Sequence, residues 1–176
     1  TGANTGIGLV TAKELAKSGA HTFLACRSEE KTMPVVEQIK SETGNKQVEF
    51  LRLDLASLES VRACATAFRE RDLPLHILIN NAGVAGYSDL TEDGFELSFG
   101  VNHLGHFALT TELLSILKES SPARIVNVSS MSHYRAKAID YSRLRSRAST
   151  VTGMPEYEVS KLANVLFTQE LSRRLE

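Results

Sequence analysis

Cysteine is scarce in this chain of 176 residues: Cys26 and Cys64 stand alone, with the spacing of neither a metal site nor a disulfide framework. Such sparing use suits a reducing compartment, so an intracellular setting is expected, with both thiols buried as small apolar groups. An excess of charge is lacking too. Lys and Arg total 20 against 21 Asp and Glu, for a net charge of -1. That balance removes the electrostatic case for nucleic-acid binding while leaving room for small anions held locally. No apolar run reaches the ~18 residues that would suggest a membrane span, and no signal peptide is recognisable. Repeats, low-complexity tracts and an obvious internal linker are absent. What is there is a composition of 42% hydrophobic and 23% charged residues, near globular averages. The length suits one domain with a real core, so a single domain over residues 1–176 is expected. The chain begins inside what reads as a turn after a strand and ends inside a helix with no stop signal. A segment cut at both ends is therefore expected, and membrane attachment through the missing termini stays open.

Periodicity and breakers divide the chain into alternating elements. A glycine-rich turn runs into a helix over residues 7–18, closed by Gly19. Apolar strands are expected at 21–26, 48–53, 75–79 and 124–128. Helices are expected at about 33–42, at 58–71 with Ser57 as cap, and over 92–117 with a bend near Gly100 or Gly105. Residues 131–155 show no period, and a last helix begins near Tyr157. Strands alternating with helices of this length predict a parallel α/β sheet, and continuous apolar strands fit a sheet covered on both faces. The irregular stretch is too long for an ordinary connection. Such loops are usually functional or mobile, and this one leads directly to Tyr157.

Three places carry chemistry. Gly2, Gly6 and Gly8 stand in the pattern Gly-x3-Gly-x-Gly, which permits a tight turn and a close backbone approach to a pyrophosphate at a helix N-terminus; the plain alternative is a generic connection. No Gly-Lys-Ser/Thr follows, so a triphosphate-cradling loop is excluded. At the end of the next strand, where an NAD site often places an acid, the chain has Cys26-Arg27. An arginine there suits the 2′-phosphate of NADP, with Glu29 and Glu30 assigned to the following turn. In Tyr157-Glu-Val-Ser-Lys161 a phenol and an ammonium fall on one helix face. A positive charge beside a phenol favours the phenolate, which suits proton transfer in carbonyl–alcohol chemistry.

The glycine turn, Arg27, Leu53-Asp54-Leu55, Asn80-Asn-Ala-Gly83, Asn102, Ser130 and Tyr157-x3-Lys161 occur in this order. Together they resemble a classical short-chain dehydrogenase/reductase. The wording around Thr1–Gly8, Ala25-Cys-Arg27, 101–107 and 160–167 is closest to the retinol dehydrogenase-like branch and similar to the reductase portion of WW-domain-containing oxidoreductases. The resemblance implies a Rossmann-like, doubly wound parallel sheet, truncated at both ends. A missing first strand would lie between the strands at 21–26 and 75–79, so residues 1–176 alone are expected to be unstable and inactive. It implies that Gly2, Asn4, Gly6, Ile7 and Gly8 hold the pyrophosphate and adenosine ribose, with Arg27 on the 2′-phosphate. Asp54 would meet the adenine with Leu55 beside it, and Asn80, Ala82 and Gly83 would line the cofactor wall. NADP is expected in preference to NAD.

For catalysis the resemblance implies Tyr157 as proton donor or acceptor, with Lys161 tuning it and gripping the nicotinamide ribose. Ser130 would bind the substrate oxygen, with Ser129 structural, and Asn102 would fix a relay water. The expected activity is hydride transfer between NADP(H) and a hydrophobic small-molecule alcohol or carbonyl compound, retinoid-like or another aldehyde or ketone. A catalytically idle NADP sensor is the alternative, and a homo-oligomer is left open. A sugar-nucleotide epimerase is disfavoured by the glycine spacing. Ser130 lies 27 residues before Tyr157, so an inserted loop must fold away from the site. No metal is expected: His103 and His106 lack a third ligand and are assigned structural roles. Tyr134 and Tyr141 are expected either to touch substrate or to cover the core. Arg143, Arg145 and Arg147, alternating on a loop, are expected to be solvated.

Overall fold

A computed structural model describes residues 1–175. The chain falls into two compact units, residues 1–54 and 55–176.

In the first unit, α1 (Gly6–Lys17), β1 (Thr22–Cys26), α2 (Glu29–Thr43) and β2 (Val48–Arg52) follow one another. The strands pair in parallel, Thr22 opposite Val48 and Cys26 opposite Arg52. Ala12 and Ala16 of α1, Leu24 and Cys26 of β1, Val36 and Ile39 of α2 and Val48 of β2 make one buried cluster. Helix α2 starts four residues before the expected 33. Ser28 caps it by accepting from Lys31 N at 3.3 Å, and Glu29 and Glu30 form its first turn, where acids complement the helix dipole. Pro34, a residue that favours a helix's first position, lies inside the helix instead.

In the second unit come α3 (Leu58–Arg69), β3 (Ile77–Asn80), a single turn α4 (Leu97–Phe99), a π-helical turn (Gly100–Leu104), α5 (Gly105–Glu119), β4 (Arg124–Asn127) and α6 (Met154–Leu175). Strands β3 and β4 are parallel, Ile77 opposite Arg124 and Asn80 opposite Asn127. Ser57 caps α3 as expected, accepting from Ser60 N at 3.4 Å, while Asp93 Oδ2 accepts from Leu58 N at 2.8 Å. Val61, Cys64, Ala65 and Phe68 of α3 and Leu109, Leu113 and Leu117 of α5 supply the buried apolar side chains. Both cysteines are buried as expected, and burial pushes the Cys64 thiol up to about 11.

Three expectations are corrected here. The helix predicted from residue 92 begins at Leu97, because residues 90–96 close a turn through a Leu90–Glu96 bridge and buried Glu96 caps Phe99 N at 2.7 Å. The expected bend at Gly100 or Gly105 is a π turn that runs into α5. Helix α6 starts at Met154, ahead of Tyr157, with Pro155 in its first turn. The irregular stretch holds two short 3-10 helices, Met131–Arg135 and Tyr141–Arg143.

Candidate active site

In the first unit the expected cofactor residues gather at the carboxyl ends of β1 and β2. Gly2 N donates to Ala25 O at 2.9 Å and Leu53 N to Cys26 O at 3.0 Å. Arg27 and Asp54 therefore follow strand ends that lie in register, with the glycine turn bonded beside the end of β1. Gly2 and Gly6 adopt φ of 61° and 55°, a left-handed backbone open to glycine at little cost. Ala3 anchors the turn in the core. Asn4 is half-buried, while Ile7 is exposed and Gly8 is buried. Thr5 makes no side-chain cap bond to α1, and its first turn carries no acid, so nothing negative competes for that helix end. Arg27 is exposed just beyond β1.

In the second unit Val128 N donates to Asn80 O at 3.0 Å, placing Ala82 and Gly83 beyond one strand and Ser129 and Ser130 beyond the other. Asn80 is buried and donates through Nδ2 to Thr110 Oγ1 and Asn127 Oδ1, both at 2.8 Å. Asn80 Oδ1 is buried without a hydrogen-bond partner.

Helix α6 brings Tyr157 and Lys161 to one face. The Lys161 ammonium lies 5.6 Å from the centre of the Tyr157 ring and donates to Val128 O at 3.1 Å. Burial holds Lys161 below its ordinary value. Ser129 Oγ donates to Lys161 O at 2.8 Å, the structural part expected of it. A Cβ added to Gly83 would stand 3.2 Å from Asn102 Oδ1 and 3.5 Å from Lys161 Nζ, so only a hydrogen fits comfortably there. Ser130 Oγ accepts from Ser132 N and donates to Ser132 Oγ, both at 3.2 Å.

Asn102 sits in the π turn, a distortion frequent at functional sites. Its side chain accepts from Val84 N at 2.8 Å and donates to Val84 O at 2.9 Å and Ser160 Oγ at 3.0 Å. Ser160 Oγ in turn donates to Tyr157 O at 2.7 Å. The Asn102 carbonyl accepts from His106 Nδ1 at 3.0 Å and Asn164 Nδ2 at 3.1 Å. His106 is fully buried and held down to about 3 by desolvation, so it stays neutral. His103, also lowered by burial, donates to Asn164 Oδ1 at 3.2 Å. Neither histidine belongs to a metal-ligating group among the described residues.

Ser160 and Asn164 were absent from the expected set although they tie Asn102 to Tyr157 and to Val128. Their signal was spacing: Ser160 and Asn164 lie four apart, on a helix face shared with Lys161. One reading of the irregular stretch is narrowed: Tyr134 and Tyr141 are 74% and 78% exposed, so neither covers the core. The three arginines are exposed as expected, and each also meets a neighbour: Arg143 meets Glu156 at 4.0 Å, Arg145 meets Asp93 O at 3.0 Å, and Arg147 meets Asp89 at 3.4 Å.

Residues 1–142 match the short chain dehydrogenase family. The chain is 54% identical over 177 aligned residues to human retinol dehydrogenase 11, covering 99% of this chain and 55% of that protein. It is 48% identical over 182 aligned residues to the chicken WW domain-containing oxidoreductase, covering 99% of this chain and 44% of that one. A solved Pseudomonas aeruginosa RhlG/NADP active-site complex superimposes with a TM-score of 0.77 at 25% identity, over 99% of this chain and 64% of the other. The chain belongs to the short chain dehydrogenase family, in the branch of the retinol dehydrogenases and WW domain-containing oxidoreductases, with the family's Rossmann-like α/β fold. It spans about half the length of the curated relatives it matches.

Proposed function

We propose that the complete protein is an NADP(H)-dependent oxidoreductase that interconverts an alcohol and a carbonyl compound, with an apolar aldehyde, ketone or retinoid-like substrate. The observation that carries this reading is the phenol of Tyr157 beside the buried, backbone-anchored ammonium of Lys161. Relatives named retinol dehydrogenase and a relative solved with NADP support the substrate and cofactor classes.

The residues fit a dinucleotide. Left-handed Gly2 ahead of α1 and Gly6 at its start, with no acid in the first turn and no side-chain N-cap bond, suit a pyrophosphate, and would act with Asn4, Ile7 and Gly8. Arg27 supplies a planar, permanently charged donor for a 2′-phosphate. Asp54 and Leu55 would take the adenine. Asn80, Ala82 and Gly83 would take the nicotinamide half, where the unpaired Asn80 Oδ1 offers an acceptor. When bound, the nicotinamide supplies or accepts the hydride at the substrate carbon.

The chain's own residues handle the proton. Tyr157 gives its phenolic proton to the carbonyl oxygen in reduction and takes one from the hydroxyl in oxidation. Lys161 stabilises negative charge on the phenol oxygen and presents its remaining N–H groups to ribose hydroxyls. Ser130 turns its O–H from Ser132 to the substrate oxygen and steadies the charge developing there. Asn102 Oδ1, with one lone pair beyond its bond from Val84 N, accepts from a relay water. The test is steady-state kinetics of the full-length protein with NADPH and NADH over a panel of aldehydes and ketones. Arg27→Ala is expected to raise the NADPH KM by at least about tenfold, roughly one lost charge-assisted contact, and to leave the NADH KM within about twofold. An equal effect on both cofactors would remove Arg27 from the 2′-phosphate.

A further inference from the structure

Residues 141–153 look like an exposed loop, yet several of their polar groups engage the segment 86–96 and the start of α6. Arg145 Nη1 donates to the Asp93 carbonyl at 3.0 Å, and its guanidinium lies 4.0 Å over the centre of the Phe95 ring. Glu96 N donates to Leu144 O at 2.8 Å. Ser88 Oγ donates to Ala148 O at 3.4 Å, and Gly153 packs against the Tyr87 carbonyl. At the far end Ser149 donates from N at 2.9 Å and from Oγ at 2.8 Å to one carboxylate oxygen of Glu156. Glu156 is the residue before Tyr157, and Tyr157 N donates to Gly153 O at 3.1 Å.

These contacts are unequal. The Arg143–Glu156 and Arg147–Asp89 pairs are long and solvated, and such pairs contribute little. The Arg145 guanidinium combines a directed bond with a ring face, which a lysine cannot reproduce. The paired bonds from Ser149 go to an ion and are the stronger kind. Ordering a chain of this length costs conformational freedom at every residue, so contacts of this kind select one path for it. Along that path Tyr141 and Val151 are 78% and 96% exposed, and Tyr87 on the partner segment is 55% exposed. Three apolar side chains are thus displayed on residues 141–153 and the segment 86–96, and the former stretch runs into α6, which carries Tyr157.

We propose that residues 141–153 form a pinned strap that walls the substrate side of Tyr157, and that Arg145 is the positioning residue that sets how tightly long apolar substrates are held. This rests on the carbonyl–alcohol reading above and adds what determines its substrate class. Arg145 touches no reacting atom; it acts by fixing the strap against Phe95 and Asp93.

The test uses the full-length protein, its Arg145→Ala and Arg145→Lys variants, and a straight-chain aldehyde series from butanal to tetradecanal. Hydrogen exchange of the strap amides gives a readout independent of turnover. Arg145→Ala is expected to raise the tetradecanal KM by about tenfold and the butanal KM by less than about twofold. kcat should fall less than KM rises, strap amides should exchange faster, and α6 should be unchanged, with Arg145→Lys in between. Faster exchange with KM unaltered across the series would show that the strap is not a wall. Unaltered exchange would show that Arg145 is not its pin, and an equal KM rise for all aldehydes would show a general defect instead. Absence of turnover in the wild type would contradict the oxidoreductase reading and the wall with it.

Discussion

His106 is an ionisable side chain that the fold keeps from ionising. Its ring is buried, donates from Nδ1 to Asn102 O, and titrates at about 3 rather than near the ordinary 6.5. The folded value lies below the unfolded one, so the unfolded state binds the extra proton between them. Stability is therefore whole above pH 6.5 and is lost as pH falls toward 3. At pH 5 the loss from this residue is about 2 kcal/mol, at 1.36 kcal/mol per unit. His106→Gln should lose that much less between pH 7 and pH 5 in denaturant unfolding; superimposable profiles for the two proteins would contradict the assignment. At this scale much was legible. The pairing of Tyr157 with Lys161 rests on residue type and spacing, which a sequence carries openly, whereas the structural part given to Ser129 came from the family resemblance. Ser160 and Asn164 were missed because their importance is a matter of which distant atom they reach, Asn102 in both cases.

At the scale of elements, the π turn at Gly100–Leu104 is the joint of the second unit. Asn102 clamps both backbone groups of Val84 and reaches Ser160, while its carbonyl holds His106 and Asn164. Asn102→Ala would remove three side-chain bonds, one to buried Ser160 and two to the half-buried backbone of Val84. Unsatisfied buried groups cost about 1–3 kcal/mol each, partly recovered by relaxation, so a stability loss of about 2–4 kcal/mol is expected. Thermal unfolding of the full-length protein measures it, and a loss below about 0.5 kcal/mol, the range of ordinary surface changes, would show that the clamp is not structural. Local signals found every helix of ten or more residues and all four strands, but misplaced the starts of α2, the 97–119 helix and α6. The start of α2 is set by the Ser28 cap on Lys31 N and that of the 97–119 helix by the Glu96 cap on Phe99 N, side-chain bonds that apolar periodicity does not report. The strap was unreadable for a different reason: Arg145 meets Asp93 and Phe95, about fifty residues away in sequence.

At the scale of the whole molecule, family membership was legible because several modest motifs occur in one order, and an ordered series is far more specific than any member of it. Substrate class was not legible in the catalytic residues, since a phenol, an ammonium and a serine hydroxyl recognise only a carbonyl oxygen. Under the proposed strap it depends on apolar side chains such as the exposed Tyr141, Val151 and Tyr87, which belong to segments without a periodic signature. Everything proposed for the reaction turns on Tyr157, beside Lys161, moving the proton. The most direct measurement is single-turnover hydride transfer in full-length Tyr157→Phe, read at the nicotinamide absorbance with an aldehyde that the wild type reduces, alongside NADPH binding by fluorescence. NADPH binding is expected to stay within about twofold while the hydride-transfer rate falls by at least about a hundredfold, the low end for loss of a general acid. A Tyr157→Phe protein that binds NADPH and transfers hydride at the wild-type rate would contradict that role.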